Sequence, residues 1–200
     1  MTVSQEKDPE LESLSDEQLA LALKRGDEGA FDVLVSRHQS RVYAVAYRFT
    51  SNREDALDVT QEALLKVYRK IGAWQPTGGF VPWLLRLTSN QAVDMLRRRK
   101  RHQHEQLIDE VRRKGGHAPV EPASMATDEQ VRAREIDDRV QRALDVLSPT
   151  QRIVFVLRHY EGLQLADIAV AVGCTVGSVK VHLFRALKKL QKELKDLYSG

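Results

Sequence analysis

Leu165-Ala166-Asp167-Ile168-Ala169-Val170-Ala171-Val172-Gly173-Cys174-Thr175-Val176-Gly177-Ser178-Val179-Lys180 decides how the rest of the chain is read. A short apolar helix stops at Gly173, a turn follows, and Thr175 supplies an N-cap hydroxyl for a second helix. That is the helix-turn-helix arrangement. At 100° per residue, Val176, Val179, Leu183, Ala186, Leu187, Leu190, Leu194 and Leu197 gather on one side of the second helix. Ser178, His182, Arg185, Lys188, Lys189 and Lys192 gather on the other, with Val181 among them. A helix with one packed face and one basic face suits the DNA major groove, and its N-terminal residues reach base edges. Arg185 is placed to pair with guanine or a phosphate, and Val181 suits a thymine methyl.

Moving outward, Ser148-Pro149-Thr150-Gln151 combines an N-cap serine, a proline at the first helical position and a glutamine at N3. Helical periodicity in this C-terminal part starts near Ile136. Before it, His102 to about Arg134 carries Gly115-Gly116, Pro119, Pro122 and many charges, which reads as a flexible linker. Upstream of the linker, helical patterns run from about Phe80 to Arg101, Asn52 to Ile71 and Arg41 to Thr50, and Ser15-Asp16-Glu17-Gln18 has the form of a capping box. Leu19, Leu23, Phe31, Leu34 and Val35 are expected to be buried, and Gln75-Pro76-Thr77-Gly78-Gly79 must be a loop. No stretch alternates apolar and polar residues as a strand would. The expected fold is all-α: an acidic tail (1–14), a helical domain (15–101), a linker (102–134) and a smaller helix-turn-helix domain (135–200).

Two helices of the first domain have contrasting outer faces. Along 80–101, Leu84, Leu85, Thr88, Ala92, Met95 and Leu96 make the packed side, while Arg86, Asn90, Asp94 and Arg97 lie opposite. Asn90 offers a donor and an acceptor, the arginines suit phosphates, and the run Arg97-Arg98-Arg99-Lys100-Arg101 adds salt-sensitive attraction for a polyanion. Trp74, Phe80 and Trp83 are aromatic groups that suit either stacking on bases or, more commonly, a core. Along 52–71, Ala56, Leu57, Thr60, Ala63, Leu64, Val67 and Ile71 are expected to pack, leaving Asp55, Asp58, Glu62, Leu65 and Arg69 outside. Carboxylates repel phosphates, so an exposed leucine among them points to a protein partner.

The 200 residues are 42% hydrophobic and 30% charged, a composition for packed cores. The net charge of +3 hides an asymmetry: residues 1–62 hold thirteen acids and seven bases, −6, and the remainder carries +9. Much of that excess sits in 97–101 and in Lys180, Arg185, Lys188, Lys189, Lys192 and Lys195. Cys174 is the single cysteine, so an intramolecular disulfide and a Cys-rich zinc site are excluded and a reducing cytoplasm is expected. No apolar run approaches the ~18 residues of a membrane span, and no signal core is evident, so membrane insertion is not expected. Phosphate loops, dinucleotide fingerprints, H-E-x-x-H and G-x-S-x-G are all missing. His102, His104 and His117 match no zinc spacing. No catalytic residue, metal or cofactor is therefore expected.

Three motifs in order resemble the extracytoplasmic-function sigma factors, small bacterial RNA polymerase initiation factors of the sigma-70 family. Asp55-Ala56-Leu57-Asp58-Val59-Thr60-Gln61-Glu62 is similar to the D-A-x-D-x-x-Q-E of the helix that docks on the clamp coiled coil, which implies core-polymerase contacts at Asp55, Asp58, Gln61, Glu62 and Leu65. Phe80-Val81-Pro82-Trp83-Leu84-Leu85-Arg86-Leu87-Thr88-Ser89-Asn90-Gln91-Ala92-Val93-Asp94-Met95-Leu96-Arg97 resembles F-x-x-W-L-x-x-I-A-x-N-x-x-x-D-x-x-R. In the family, that helix and the loop before it hold the minus-ten element and a base flipped from the non-template strand. This assigns minus-ten contacts to Gln75, Pro76, Thr77, Gly78, Arg86, Asn90, Asp94, Arg97, Arg98 and Arg101. Leu147-Ser148-Pro149-Thr150-Gln151-Arg152 and the helix-turn-helix resemble the minus-thirty-five reader, implying contacts at Thr175, Ser178, Lys180, Val181, His182, Arg185, Lys188 and Lys189.

The chain departs from the family pattern at Ser148, where Leu is common, at Asp167, where Glu is common, and at Ser178, Val181 and His182, in place of Thr, Ser and Arg. The last three bear on which promoter sequence is read rather than on the function. The resemblance implies the polymerase core (clamp coiled coil and flap), duplex and single-stranded promoter DNA, and an anti-sigma protein as partners. Two other readings of the residues remain: a free-standing helix-turn-helix repressor or activator, and a nucleic-acid-processing enzyme, which would need a metal or nucleophile constellation.

Overall fold

The structure is a computed structural model that describes residues 9–113, 139–140 and 142–195; for residues 100 and 102–113 it describes the backbone alone. In chain order the helices are α1 (Pro9–Ser13), α2 (Asp16–Lys24), α3 (Glu28–Thr50), α4 (Arg53–Lys70), two single 3-10 turns (Ile71–Ala73 and Pro76–Gly78), α5 (Phe80–Arg113), α6 (Pro149–His159), α7 (Leu165–Val172) and α8 (Val176–Glu193). Residues 139–140 and 142–145 are also helical. No strand occurs among the described residues.

The caps are where local chemistry puts them. The Ser15 Oγ accepts from the Gln18 N–H at 3.3 Å while Gln18 Oε1 accepts from the Ser15 N–H at 2.8 Å, and Ser148 and Gln151 repeat that box at the head of α6. Asn52 caps α4 and Thr175 caps α8 through the Ser178 N–H at 3.1 Å. Gly173 ends α7 at φ +73°, the left-handed conformation that a β-carbon disfavours and that turns the chain toward α8.

Two boundaries differ from the sequence reading. α3 begins at Glu28 rather than near Arg41, because Ala30, Val33, Leu34, His38 and Val42 keep a helical spacing of buried positions through an otherwise polar stretch. Its first half is fastened by Arg37, which donates to the carbonyls of Leu14 and Glu12, and by His38, whose Nε2 lies 2.8 Å from Asp16 Oδ2. α5 runs on past Arg101 to Arg113, into the segment that composition reads as linker. Residues 102–113 hold neither proline nor glycine and are rich in Gln, Glu and Arg, which are good helix formers, so low hydrophobicity alone does not stop a helix. The rest of the expected linker, 114–134, lies outside the described residues, as do residues 135–138 of the expected second domain, residues 1–8 of the acidic tail and Leu197.

The two helical regions share part of their apolar core. One core packs α2 to α5 around Leu19, Leu34, Trp74, Phe80 and Leu84; Trp74 and Phe80 are buried and cross edge-on at 6.1 Å. These rings are core, each worth about 1.5–3 kcal/mol of burial. A second core is shared: Val45, Phe49, Val59 and Leu85 pack with Ile153, Leu157, Ile168 and Val179. A third joins Ala143, Leu144 and Leu147 to Ala186 and Leu190. α5 therefore buries Leu87, Gln91 and Val93 in addition to the expected side.

Polar contacts reinforce this closed arrangement. Arg152 of α6 donates to the carbonyls of Arg48 and Phe49 at the end of α3 (3.2 and 3.1 Å) and to Asp145 at 2.7 Å. Burial pulls its guanidinium below the ordinary arginine range, and the Asp145 carboxylate pulls the other way. Among the described residues no single helix is long and apolar enough to cross a membrane.

Candidate functional site

Three surfaces carry the residues that the sequence singles out. The first is the outer face of α4. Its buried arc is Ala56, Val59, Thr60, Ala63 and Val67, and Leu57, expected to pack, instead stands exposed with Leu65 and Tyr68. Leu57 lies on the far side of the helix from Val59 at 100° per residue, which is why the tertiary neighbours miss it. The result is an apolar strip larger than the sequence reading allows, bordered by Asp58, Gln61 and Glu62. These last three line a cleft of about 420 Å³ with Lys66, Gln91, Met95 and Arg98. Lys66 hydrogen-bonds Gln91 across it, and Asp55 pairs with Arg99 of α5. Arg98, assigned from the family pattern to DNA, thus lies beside the acids of α4.

The second surface is the loop at 75–79 with the adjoining face of α5. Gln75, Pro76 and Thr77 are exposed. Gly78 is half-buried because Val170 of α7 approaches it: a β-carbon added there would meet Val170 Cγ1 at 2.6 Å. Arg86, Asn90, Asp94 and Arg97 share a cleft of about 510 Å³ with Lys66, Lys70 and Trp83, and its far wall is Pro149, Thr150 and Ile153 at the head of α6. Asp94 sits 4.0 Å from Arg97. Four cations against one carboxylate make this cleft electropositive, suited to a phosphodiester backbone. Arg101 is exposed farther along α5.

The third surface is α8. Val179, Ala186 and Leu190 form its buried centre; Val176 and Leu187, on the edges of the expected apolar stripe, are exposed because none of the described residues covers them. Lys180, Val181, Arg185 and Lys188 stand in solvent on one face. Thr175 and Ser178 are tied to each other in the cap, and Lys189 donates to the Val146 carbonyl at 3.0 Å, which fixes it to the preceding segment. His182 is half-buried with its Nδ1 turned inward and without a hydrogen-bond partner among the described residues, so that side chain does not project with the rest. Phe184, 67% exposed and not expected from the sequence, joins Val181 as an apolar element of the basic face. The signal for it was an aromatic at a solvent position of an amphipathic helix.

Among the described residues, no three His, Cys, Asp or Glu side chains converge to hold a metal ion. The side chains of His102 and His104, and all of His117, lie outside the described part.

Comparison with known proteins matches both helical regions of the chain. Residues 34–102 match sigma-70 region 2, and residues 137–190 match sigma-70 region 4. RNA polymerase sigma-H factor of Pseudomonas aeruginosa is 33% identical over 186 residues, covering 91% of this chain and 95% of that protein. The extracytoplasmic-function sigma-E factor of Haemophilus influenzae is 31% identical, covering 93% and 98%. In fold, CnrH in complex with the cytosolic domain of CnrY superposes with a TM-score of 0.65 at 25% identity, over 92% of this chain and 99% of that one. By its motifs, its two helical regions and these relatives, the chain belongs to the extracytoplasmic-function branch of the sigma-70 family, the alternative sigma factors that direct RNA polymerase to begin transcription at chosen promoters.

Proposed function

We propose that this sigma factor docks on the core polymerase clamp through the outer face of α4 and reads two promoter elements with two other surfaces, working in the cytoplasm by binding alone and without turnover. The observation that carries this reading is that one chain holds an acidic, leucine-bearing face on α4 and a separate exposed basic face on α8. Asp58, Gln61, Glu62, Leu57 and Leu65 form the polymerase contact, with the carboxylates excluding DNA and the leucines supplying the apolar centre. Lys180, Val181, Phe184, Arg185 and Lys188 face the minus-thirty-five duplex. The loop 75–78 with Arg86, Asn90, Asp94 and Arg97 holds the minus-ten strand, and a base captured there offsets the few kcal/mol of unpairing. The region-4 part also touches the polymerase flap. A solved relative with a TM-score of 0.56 is described as the sigma factor RpoE in complex with the anti-sigma factor NepR from Bartonella quintana; a comparable inhibitor is a partner for this chain.

The test is run-off transcription on fragmented genomic DNA with core polymerase, with and without the protein. Discrete new start sites sharing two upstream elements are expected; tight duplex binding without any new transcript would favour a repressor or activator. On such a promoter Arg185→Ala should weaken binding by about 1–3 kcal/mol and relax selectivity at one base. An equal loss on every sequence would assign Arg185 to phosphate. Asp58→Ala should reduce affinity for core polymerase in a fluorescence titration while leaving duplex affinity unchanged, and an unaltered core affinity would remove Asp58 from the docking face.

A further inference from the structure

We infer that a charge clasp centred on Glu161 tunes the closure made by the shared apolar core, and that this closure restricts the minus-ten loop while leaving the α8 reading face open. The gating half of the inference rests on the assignment of loop 75–78 to the minus-ten strand. Glu161 follows α6, yet its carboxylate, 6% exposed, accepts from two arginines of α3: Arg41 Nε at 2.8 Å and Arg48 Nη1 at 3.1 Å. Its backbone carbonyl accepts from Arg41 Nη2 as well, and Arg48 lies over the Tyr160 ring at 4.6 Å. In the closed chain the buried carboxylate is satisfied by its two guanidinium partners; separation returns all three charges to water, which hydrates them well. Because each ion gains hydration on release, such a clasp gives a balance that a partner can tip rather than a permanent lock.

Closure has different consequences for the two DNA surfaces. It brings Val170 onto Gly78 and sets Pro149 and Thr150 as a wall across from Arg86 and Arg97, so a single strand has less room to enter. Val181, Phe184 and Arg185 meanwhile remain in solvent. In the closed chain, duplex reading is available and strand capture is reduced by the closed fraction, since apparent affinity scales with the population of the competent state.

The contact offers its own reporter. A β-carbon at Gly78 lies 3.6 Å from Val170 Cβ, within the ~3.5–4.5 Å that disulfides span. The full chain carrying Gly78→Cys, Val170→Cys and Cys174→Ser should cross-link rapidly on mild oxidation, and adding Glu161→Gln or Arg41→Gln should slow that several-fold. With the native loop, each of those two variants should bind a pool of random-sequence single-stranded DNA about three- to tenfold more tightly than the parent, with duplex affinity nearly unchanged. The pair separates the clasp from bulk charge: Glu161→Gln raises the net charge and Arg41→Gln lowers it, yet both open the clasp. Opposite shifts in the two would show simple electrostatics and overturn the inference, as would cross-linking that neither variant slows. If cross-linking responds but no variant binds single strands, the minus-ten assignment of the loop falls, and the gating with it, while closure stands.

Discussion

Phe49→Ala should destabilise the protein by about 3–5 kcal/mol, the range for removing a buried phenyl ring. The ring is 2% exposed at the last turn of α3 and sits in the core shared with Ile153, Val156 and Leu157. It also carries the Arg152 guanidinium 5.1 Å above its centroid, so its loss removes a cation–π contact as well as a large apolar volume. Total stabilities of domains are ~5–15 kcal/mol, so this one change takes a large share. Urea unfolding followed by circular dichroism reads the effect as a lower midpoint at constant slope. Because the core is shared, both helical regions should lose stability together. A cost under about 1 kcal/mol would mean that the shared core forms only a small part of the time in solution. Phe49→Leu, which keeps much of the volume, should cost about a third as much and guards against outright unfolding of the alanine variant.

The second large effect is expected at Arg152. Arg152→Ala leaves the carbonyls of Arg48 and Phe49 without their donor at a helix end, where main-chain acceptors already lack partners. It also leaves Asp145 alone, although that carboxylate is 56% exposed and is rehydrated at little cost. The two uncapped carbonyls therefore dominate, and the expected loss is about 2–3 kcal/mol. Arg152→Lys keeps the charge but not the planar fork that reaches Asp145 and two carbonyls at once, so it should recover less than half of that loss. Full recovery by lysine in the same denaturation measurement would show that charge alone matters here. A negligible loss with alanine would show that water caps α3 equally well.

Much of the candidate site was legible before the fold was known, for a definite reason. The Ser15, Ser148 and Thr175 caps, the turn at Gly173 and the basic face of α8 all rest on residues three or four apart, and those spacings are set by helix geometry alone. Leu57, Leu187 and Val176 went astray because a 100° projection finds the apolar side of a helix but not the width of what covers it. Phe184 shows the converse: an aromatic is ordinarily core, and only the tertiary structure reveals that none of the described residues covers this one.

What the amino-acid order determined by itself was most of the helices, the caps at Ser15, Ser148 and Thr175 and the sign of the outer faces of α4 and α8, since these follow from neighbours in the chain. What only the tertiary structure decided was the joining of the two helical regions. Glu161 meets Arg41 across 120 positions, and Arg152 reaches Phe49 across 103. No periodicity links residues so far apart. Such pairs are chosen by which apolar faces pack together, and the charges then settle where that packing has removed water.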